Sequence, residues 1–344
     1  MHKRKQVRAI VLLSGGLDSI LAIKVIQQQA VEVTGLSFST PFFGPRLAQK
    51  AADDLGIELM VKDITPEHFE IVKNPRYGYG KTMNPCIDCH ALMLKVAGKI
   101  MQEEGYDFIF TGEVLNERPM SQTKDALGLV LKMSGYGPYI VRPLSAKFLA
   151  PTEPEMQGLI DRERLLNLHG RSRKPQFKLA AEFGIKKYPN PAGGCLLTDR
   201  LFSNRLRELL SFNADPSMRD IRLLKTGRHF RFADSVKLIV GRDEKENMLL
   251  ASVCVEGDIL LTTTELVPGP TCILSGKGAE RFVHKAALIC AAYSDVAESG
   301  ECTILADDRI SGQKSSMVVI AERGNRTLQR IDGEETVGKI AHSS

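Results

Sequence analysis

Ser14-Gly15-Gly16-Leu17-Asp18-Ser19 stands between an apolar run, Val7 to Leu13, and a stretch from Ser19 to Gln29 with the apolar spacing of an amphipathic helix. The chain must therefore turn from a strand into a helix at two adjacent glycines. Glycines let the backbone approach a phosphate, the free amides of a first helical turn point at it, and the helix dipole favours its charge. The turn predicts a bound nucleotide or pyrophosphate. A phosphate loop with Gly-Lys-Ser/Thr is excluded, because no lysine follows the glycines. An aspartate enters instead. Asp18 repels phosphate unless a cation intervenes, which predicts Mg²⁺ shared between Asp18 and the phosphates. The plainer alternative is a tight turn before a helix capped by Ser or Asp.

In this strand-to-helix setting the motif resembles the PP-loop pyrophosphatase superfamily, whose signature is Ser-Gly-Gly-x-Asp-Ser. The resemblance implies cleavage of ATP between its α and β phosphates, adenylylation of the substrate and release of pyrophosphate. ATP would bind at Ser14, Gly15, Gly16, Leu17, Asp18 and Ser19, with Asp18 catalytic. By the same topology Ser37 and Phe38 would lie near adenine, and Thr111 and Gly112 would form a second wall. Phe38 also suits a core position. Gln122, Lys81 and Arg142 are further polar candidates near motif ends.

The first half reads as strand and helix in alternation: strands over Val31 to Ser37, Ile57 to Val61 and Phe108 to Thr111, helices over Pro45 to Leu55 and Ala91 to Glu104. Such alternation builds a parallel sheet covered on both faces, with ligands beyond the carboxyl ends of its strands. Residues 139–200 are rich in proline and basic side chains and read as connections rather than more sheet. A boundary is expected between Arg200 and Arg219. Beyond it come short strands (Lys237 to Val240, Asp258 to Leu261, Thr271 to Leu274), an alanine-rich helix from Val283 to Tyr293, and strands over Thr303 to Leu305 and Met317 to Ala321. The fold class is α/β, a parallel sheet of the adenine-nucleotide α-hydrolase type over residues 1–205, with a second, smaller α+β domain over residues 220–332. The polar tail after Ile331 is expected to fray.

No signal peptide is expected, because the apolar segment after the basic start is short and runs into the glycine motif. Seven cysteines therefore point to thiol or metal chemistry rather than a disulfide scaffold, and to the cytoplasm. Cys254, Cys272, Cys290 and Cys302 sit in apolar contexts and read as core. Asn84-Pro85-Cys86-Ile87-Asp88-Cys89-His90 differs: it puts two thiols just before or in the first turn of a helix, whose positive end is expected to lower their pKa. Cys195 follows Asn190-Pro191-Ala192-Gly193-Gly194, a turn where backbone can come close to a ligand. A structural zinc site would want a second Cys-x-x-Cys, and the chain has none. Two close thiolates and a distant one suit an iron–sulfur cluster with one iron open.

This pattern is similar to the tRNA thiouridine synthetases of the superfamily. Cys89 falls on the first catalytic cysteine of the 2-thiouridine branch and Cys195 on its second, while Cys86 takes a place where that branch often has aspartate. The extra thiol makes the chain resemble the members in which three cysteines, here Cys86, Cys89 and Cys195, hold a [4Fe-4S] cluster. A persulfide on Cys195 with Cys89 as partner is the alternative. The resemblance implies tRNA as substrate, with sulfide or a persulfide carrier as sulfur donor.

A net charge of +5 is compatible with RNA contact without requiring it. The clusters around Arg171 and Arg173, and around Arg228, say more. Gly227-Arg228-His229-Phe230, Val240-Gly241-Arg242-Asp243, Pro268-Gly269-Pro270 and Ala286-Ala287-Leu288-Ile289 follow in an order that resembles the RNA-binding domain of the NFACT proteins. Arg118, Arg171, Arg173, Arg228 and Arg242 are the candidate RNA contacts. No apolar run approaches the ~20 residues that span a bilayer, so no membrane partner is expected. The expected function is an ATP-dependent tRNA sulfurtransferase making 2-thiouridine or 4-thiouridine. An amide-forming synthetase with structural zinc, and a non-enzymatic RNA-binding factor, are the competing readings.

Overall fold

The computed structural model describes residues 6–188, 194–309, 311–326 and 330–331, and divides into two compact units, Met1–Asp199 and Arg200–Ser344. In the first unit the elements are β1 (Arg8–Leu12), α1 (Leu17–Gln27), β2 (Glu32–Ser39), α2 (Arg46–Leu55), β3 (Leu59–Asp63), α3 (Thr65–Lys73), α4 (Cys86–Glu104), β4 (Phe108–Thr111), α5 (Lys124–Ser134), β5 (Ile140–Val141), α6 (Glu153–Met156) and α7 (Lys174–Glu182). The five strands are all parallel, in the order β3-β2-β1-β4-β5. Both faces are covered. Along β1, Ala9 and Val11 pack into one core with Leu21, Ile23 and Ala52, whereas Ile10 joins Leu94, Ile100 and Val130 on the other face. That alternation is the period-two consequence of a strand buried on both sides.

Strand order reverses at β1: the chain goes first to β2 on one side and later to β4 on the other. A crevice opens at such a point, beyond the carboxyl ends of the strands. The Gly-Gly turn leaves β1 into that crevice.

The helix after the glycine turn and the edge of the sheet depart from the sequence reading. The helix after the turn is not amphipathic: from Leu17 to Ile26 nearly every side chain is buried, because the helix lies within the first core instead of along its edge. Residues 139–200 also contribute β5, which extends the sheet by a fifth strand. Two residues ending at Arg142-Pro143 are too few to show a period, and the proline stops the strand.

The second unit contains α8 (Arg200–Phe212), α9 (Met218–Leu223), β6 (Arg228–Ala233), β7 (Val236–Val240), α10 (Glu244–Val253), β8 (Asp258–Thr263), β9 (Cys272–Ser275), α11 (Val283–Ala292), β10 (Glu301–Asp308) and β11 (Lys314–Ile320). Its six strands pair antiparallel in the order β11-β10-β8-β9-β7-β6. The core combines Phe230, Leu238, Ile259 and Leu274 with Ala287 and Ile289 of α11. Cys272, Cys290 and Cys302 are buried there and Cys254 is half-buried, as expected of small apolar side chains. Asn190 to Gly193, and the tail expected to fray, lie outside the described residues.

Candidate active site

The turn after β1 is built for close approach. Gly15 has a φ of +76°, and a Cβ there would stand 2.3 Å from the carbonyl of Leu47. Gly112, at the end of β4, packs as tightly: a Cβ on it would lie 2.5 Å from the amide nitrogen of Ser19. The two walls of the crevice can meet only because both positions lack a side chain. Gly16 caps α1 without a side-chain hydrogen bond, so the first-turn amides have no cap oxygen. Ser14 Oγ accepts from Gly16 N at 3.2 Å, and Ser19 Oγ donates to Gly16 O at 2.8 Å, which fixes the turn from within.

A cleft of about 380 Å³ opens there. Its lining includes Ser14, Gly16, Leu17, Asp18, Ser19, Ser37, Phe38, Thr111 and Gly112, and also Cys86, Cys89 and Cys195. Gly15 supports the turn from behind. Arg118, Gln122 and Arg173 line the same cleft. Phe38 both lines it and belongs to the core. Arg171 and Lys81 are exposed outside it, and Arg228 and Arg242 belong to the second unit.

The thiols come from two directions. α4 begins at Cys86, five residues before the sequence reading started it, so Cys86 and Cys89 share its first turn. Pro85 precedes that turn, and Asp88 within it accepts from Tyr77 N at 3.0 Å. Asn84 Nδ2 donates to Cys86 Sγ at 3.1 Å. The segment carrying Cys195 is tied to the cleft wall by Leu196 N donating to Phe42 O at 2.9 Å and Thr82 Oγ1 donating to Leu197 O at 2.6 Å. Burial pushes the Cys89 thiol well above its ordinary value, and the neighbouring Cys195 and Cys86 push the same way. Burial likewise raises Cys195, to about 11. The expected lowering by the helix end is therefore overturned at Cys89: desolvation and like charges outweigh the dipole.

His90 and Glu113, both in the cleft lining, belong to a charged chain that sequence reasoning largely missed. Glu113 Oε1 lies 3.0 Å from His90 Nδ1, and its Oε2 accepts from Arg142 Nε at 2.8 Å and from Thr111 Oγ1 at 3.1 Å. Burial alone would raise the carboxyl, but the Arg142 guanidinium and the His90 ring hold it well below the usual carboxylate range. The signals were adjacency of His90 to Cys89 and of Glu113 to Gly112. His68, also in the cleft lining, gave no sequence signal. Its ring lies against Phe42 and Phe43, and neither ring nitrogen has a hydrogen-bond partner.

Asp18 does not stand alone. Arg173 Nη2 lies 3.2 and 3.1 Å from its two carboxylate oxygens. Burial still raises the Asp18 pKa against the pull of that guanidinium.

In the second unit Arg228 stacks 4.4 Å over the Tyr293 ring and donates from Nη1 to Gly241 O at 3.1 Å. Arg326 covers the same ring at 5.0 Å. Arg242 is exposed and pairs with Glu246 through Nε at 2.9 Å. These cations, with Arg222 and Lys225, give this unit a basic stretch around β6.

Among the described residues no helix is long and apolar enough to cross a membrane. Residues 5–147 match the family described as thiamine biosynthesis protein (ThiI), and residues 227–329 match the NFACT protein RNA binding domain. The tRNA-specific 2-thiouridylase MnmA of Marinobacter nauticus is 25% identical over 325 residues, covering 81% of this chain and 78% of that protein. The tRNA-specific 2-thiouridylase MnmA 3 of Bacteroides fragilis is 34% identical over 118 residues, covering 32% of each chain. The tRNA sulfurtransferase of Desulfurococcus amylolyticus is 32% identical over 148 residues, 40% of this chain and 29% of that protein. The chain thus spans about a third of the length of the B. fragilis relative.

Proposed function

We propose that this chain, similar to the PP-loop tRNA thiolation enzymes over its first unit and to the NFACT RNA-binding domain over its second, is an ATP-dependent tRNA sulfurtransferase. It adenylylates a uridine of a tRNA and replaces the carbonyl oxygen at C2 or C4 with sulfur. One observation carries the reading: the Gly-Gly turn and three cysteines from distant parts of the chain line a single cleft. The named relatives act in the same chemistry and support it.

The amides after Gly16 receive the phosphates, and Asp18 faces them as a Mg²⁺ ligand. Ser37 and Phe38 border the adenine side, Thr111 and Gly112 the opposite wall. The uridine oxygen attacks the α phosphorus, the α–β bridge breaks, and pyrophosphate leaves. Sulfur then adds at the activated carbon, and AMP departs with the original oxygen. Both steps require the base to leave its stack and enter the cleft.

Cys86, Cys89 and Cys195 would hold a [4Fe-4S] cluster. The donor set fits it: three thiols line one cleft, with the Asn84 amide donating to one sulfur. No group of three His, Cys, Asp or Glu side chains among the described residues is spaced for a single metal ion, and a cubane holds its cysteines farther apart than one ion does. When bound, the cluster supplies an open iron on which sulfur from sulfide or a persulfide carrier is presented. Arg118 and Arg171, with Arg228 and Arg242 in the second unit, supply phosphate contacts that give affinity without reading sequence.

The test is anaerobic purification, iron and acid-labile sulfide analysis, and nucleoside mass spectrometry of tRNA incubated with protein, Mg·ATP and sulfide. Thiouridine formed with stoichiometric pyrophosphate supports the reading. Cys195→Ala is expected to lose iron and thiolation while still binding ATP. A colourless protein with one zinc and no acid-labile sulfide overturns the cluster, and no thiouridine in any tRNA overturns the sulfurtransferase reading.

A further inference from the structure

Arg173 sits where its sequence neighbourhood does not point. It belongs to a basic segment, and Arg171 two residues earlier is exposed, yet the Arg173 side chain is only 15% exposed and lines the cleft. It precedes α7, whose first turn also sends Gln176 Nε2 to Glu117 Oε2 at 3.1 Å. The guanidinium spans two carboxylates. Its Nη2 meets both Asp18 oxygens, while its Nε is 3.6 Å from Glu117 Oε1, beyond hydrogen-bonding distance. That Nε is buried and has no hydrogen-bond partner.

We propose that Arg173 is a ligand of the ATP phosphates, held on Asp18 and Glu117 while the cleft is empty and transferred to phosphate when Mg·ATP enters. The inference rests on the ATP-dependent reading of this cleft. While Arg173 Nη2 occupies both Asp18 oxygens, a divalent ion carrying the phosphates cannot bind there, so the pairing must change when nucleotide enters. The Asp18 and Glu117 side chains are only 21% and 12% exposed, so neither carboxylate is well solvated, and a divalent ion at Asp18 relieves it better than a shared guanidinium. The freed guanidinium presents a planar fork that matches a phosphate in two hydrogen bonds, and its unused Nε gains the acceptor it lacks.

The experiment is titration of ATP, with and without Mg²⁺, into the wild type, Arg173→Gln and Arg173→Lys, with thermal unfolding of each protein alone. Arg173→Gln is expected to weaken Mg·ATP binding by about tenfold or more, and Arg173→Lys to recover only part of it, since a point charge lacks the fork. Unchanged or tighter binding by a folded Arg173→Gln protein would mean that Arg173 merely blocks Asp18, and would overturn the inference alone. A lowered melting temperature with ATP affinity intact in both variants would do the same, by making the role structural. Absence of ATP binding by the wild type would instead remove the adenylylation reading, and this inference with it.

Discussion

Arg142 Nε donates to Glu113 Oε2 at 2.8 Å, with side chains 2% and 9% exposed. Glu113 lines the cleft and passes the constraint on to His90 near the start of α4. Removing one partner of a buried pair leaves an uncompensated charge. Glu113→Gln is expected to lower unfolding stability by about 3–5 kcal/mol, while the double variant with Arg142→Met loses much less than the two single losses combined. Urea unfolding of the four proteins measures this. The folded carboxyl titrates below its ordinary value of 4.5, so its contribution is present above pH 4.5 and is lost as pH falls toward the lower folded value. Wild type should therefore lose stability below pH 4.5 more steeply than Glu113→Gln.

His68 gives a dependence in a different window. Burial lowers it from 6.5 to about 4, so between these values the unfolded chain binds a proton that the folded chain refuses. Stability is full above pH 6.5 and falls by about 3 kcal/mol as pH approaches 4. His68→Leu removes two unpartnered ring nitrogens and should flatten this decline. Melting temperatures at pH 7 and pH 5 check it: a wild-type difference that persists in His68→Leu assigns the decline to other groups.

Gly112→Ala addresses the contact between the cleft walls. The new methyl would meet the backbone of Asp18 and Ser19 at 2.5 to 2.7 Å, and backbone cannot rotate away. A loss of about 1–3 kcal/mol is expected from overpacking, together with loss of pyrophosphate release. Retained activity at wild-type stability would show that the walls can part without harm.

Arg242→Ala tests the second unit. The side chain is 44% exposed and held by Glu246, so its loss should change unfolding stability by no more than about 0.5 kcal/mol. Affinity for bulk tRNA should fall similarly for all species, and the slope of log affinity against log salt should drop by about one. An unchanged slope would remove Arg242 from the phosphate contacts.

The parts of this molecule visible in its sequence are those set by short-range rules. A Gly-Gly turn between an apolar strand and a helix, the 108–111 strand and the Cys-x-x-Cys helix start each follow from local spacing, and the comparisons bear out the resemblance those motifs suggested. Helices α3, α5 and α10 were missed because their apolar stripes are short and mixed with charge. The partner of Asp18 was illegible for another reason. Arg173 lies 155 positions away, and nothing in a run of basic residues says which one the fold turns inward. His68 was equally silent, since a lone histidine shows its neighbours only after β2 and α3 have packed.

The ties from Leu196 to Phe42 and from Leu197 to Thr82 have a consequence for biogenesis. Cys86 and Cys89 leave the ribosome more than a hundred residues before Cys195, and the loop closure that unites them is of high contact order. During that interval the nascent chain displays a vicinal dithiol without its third member. Any chemistry that needs all three thiols in one cleft must therefore wait for translation of the segment that ties Cys195 into place.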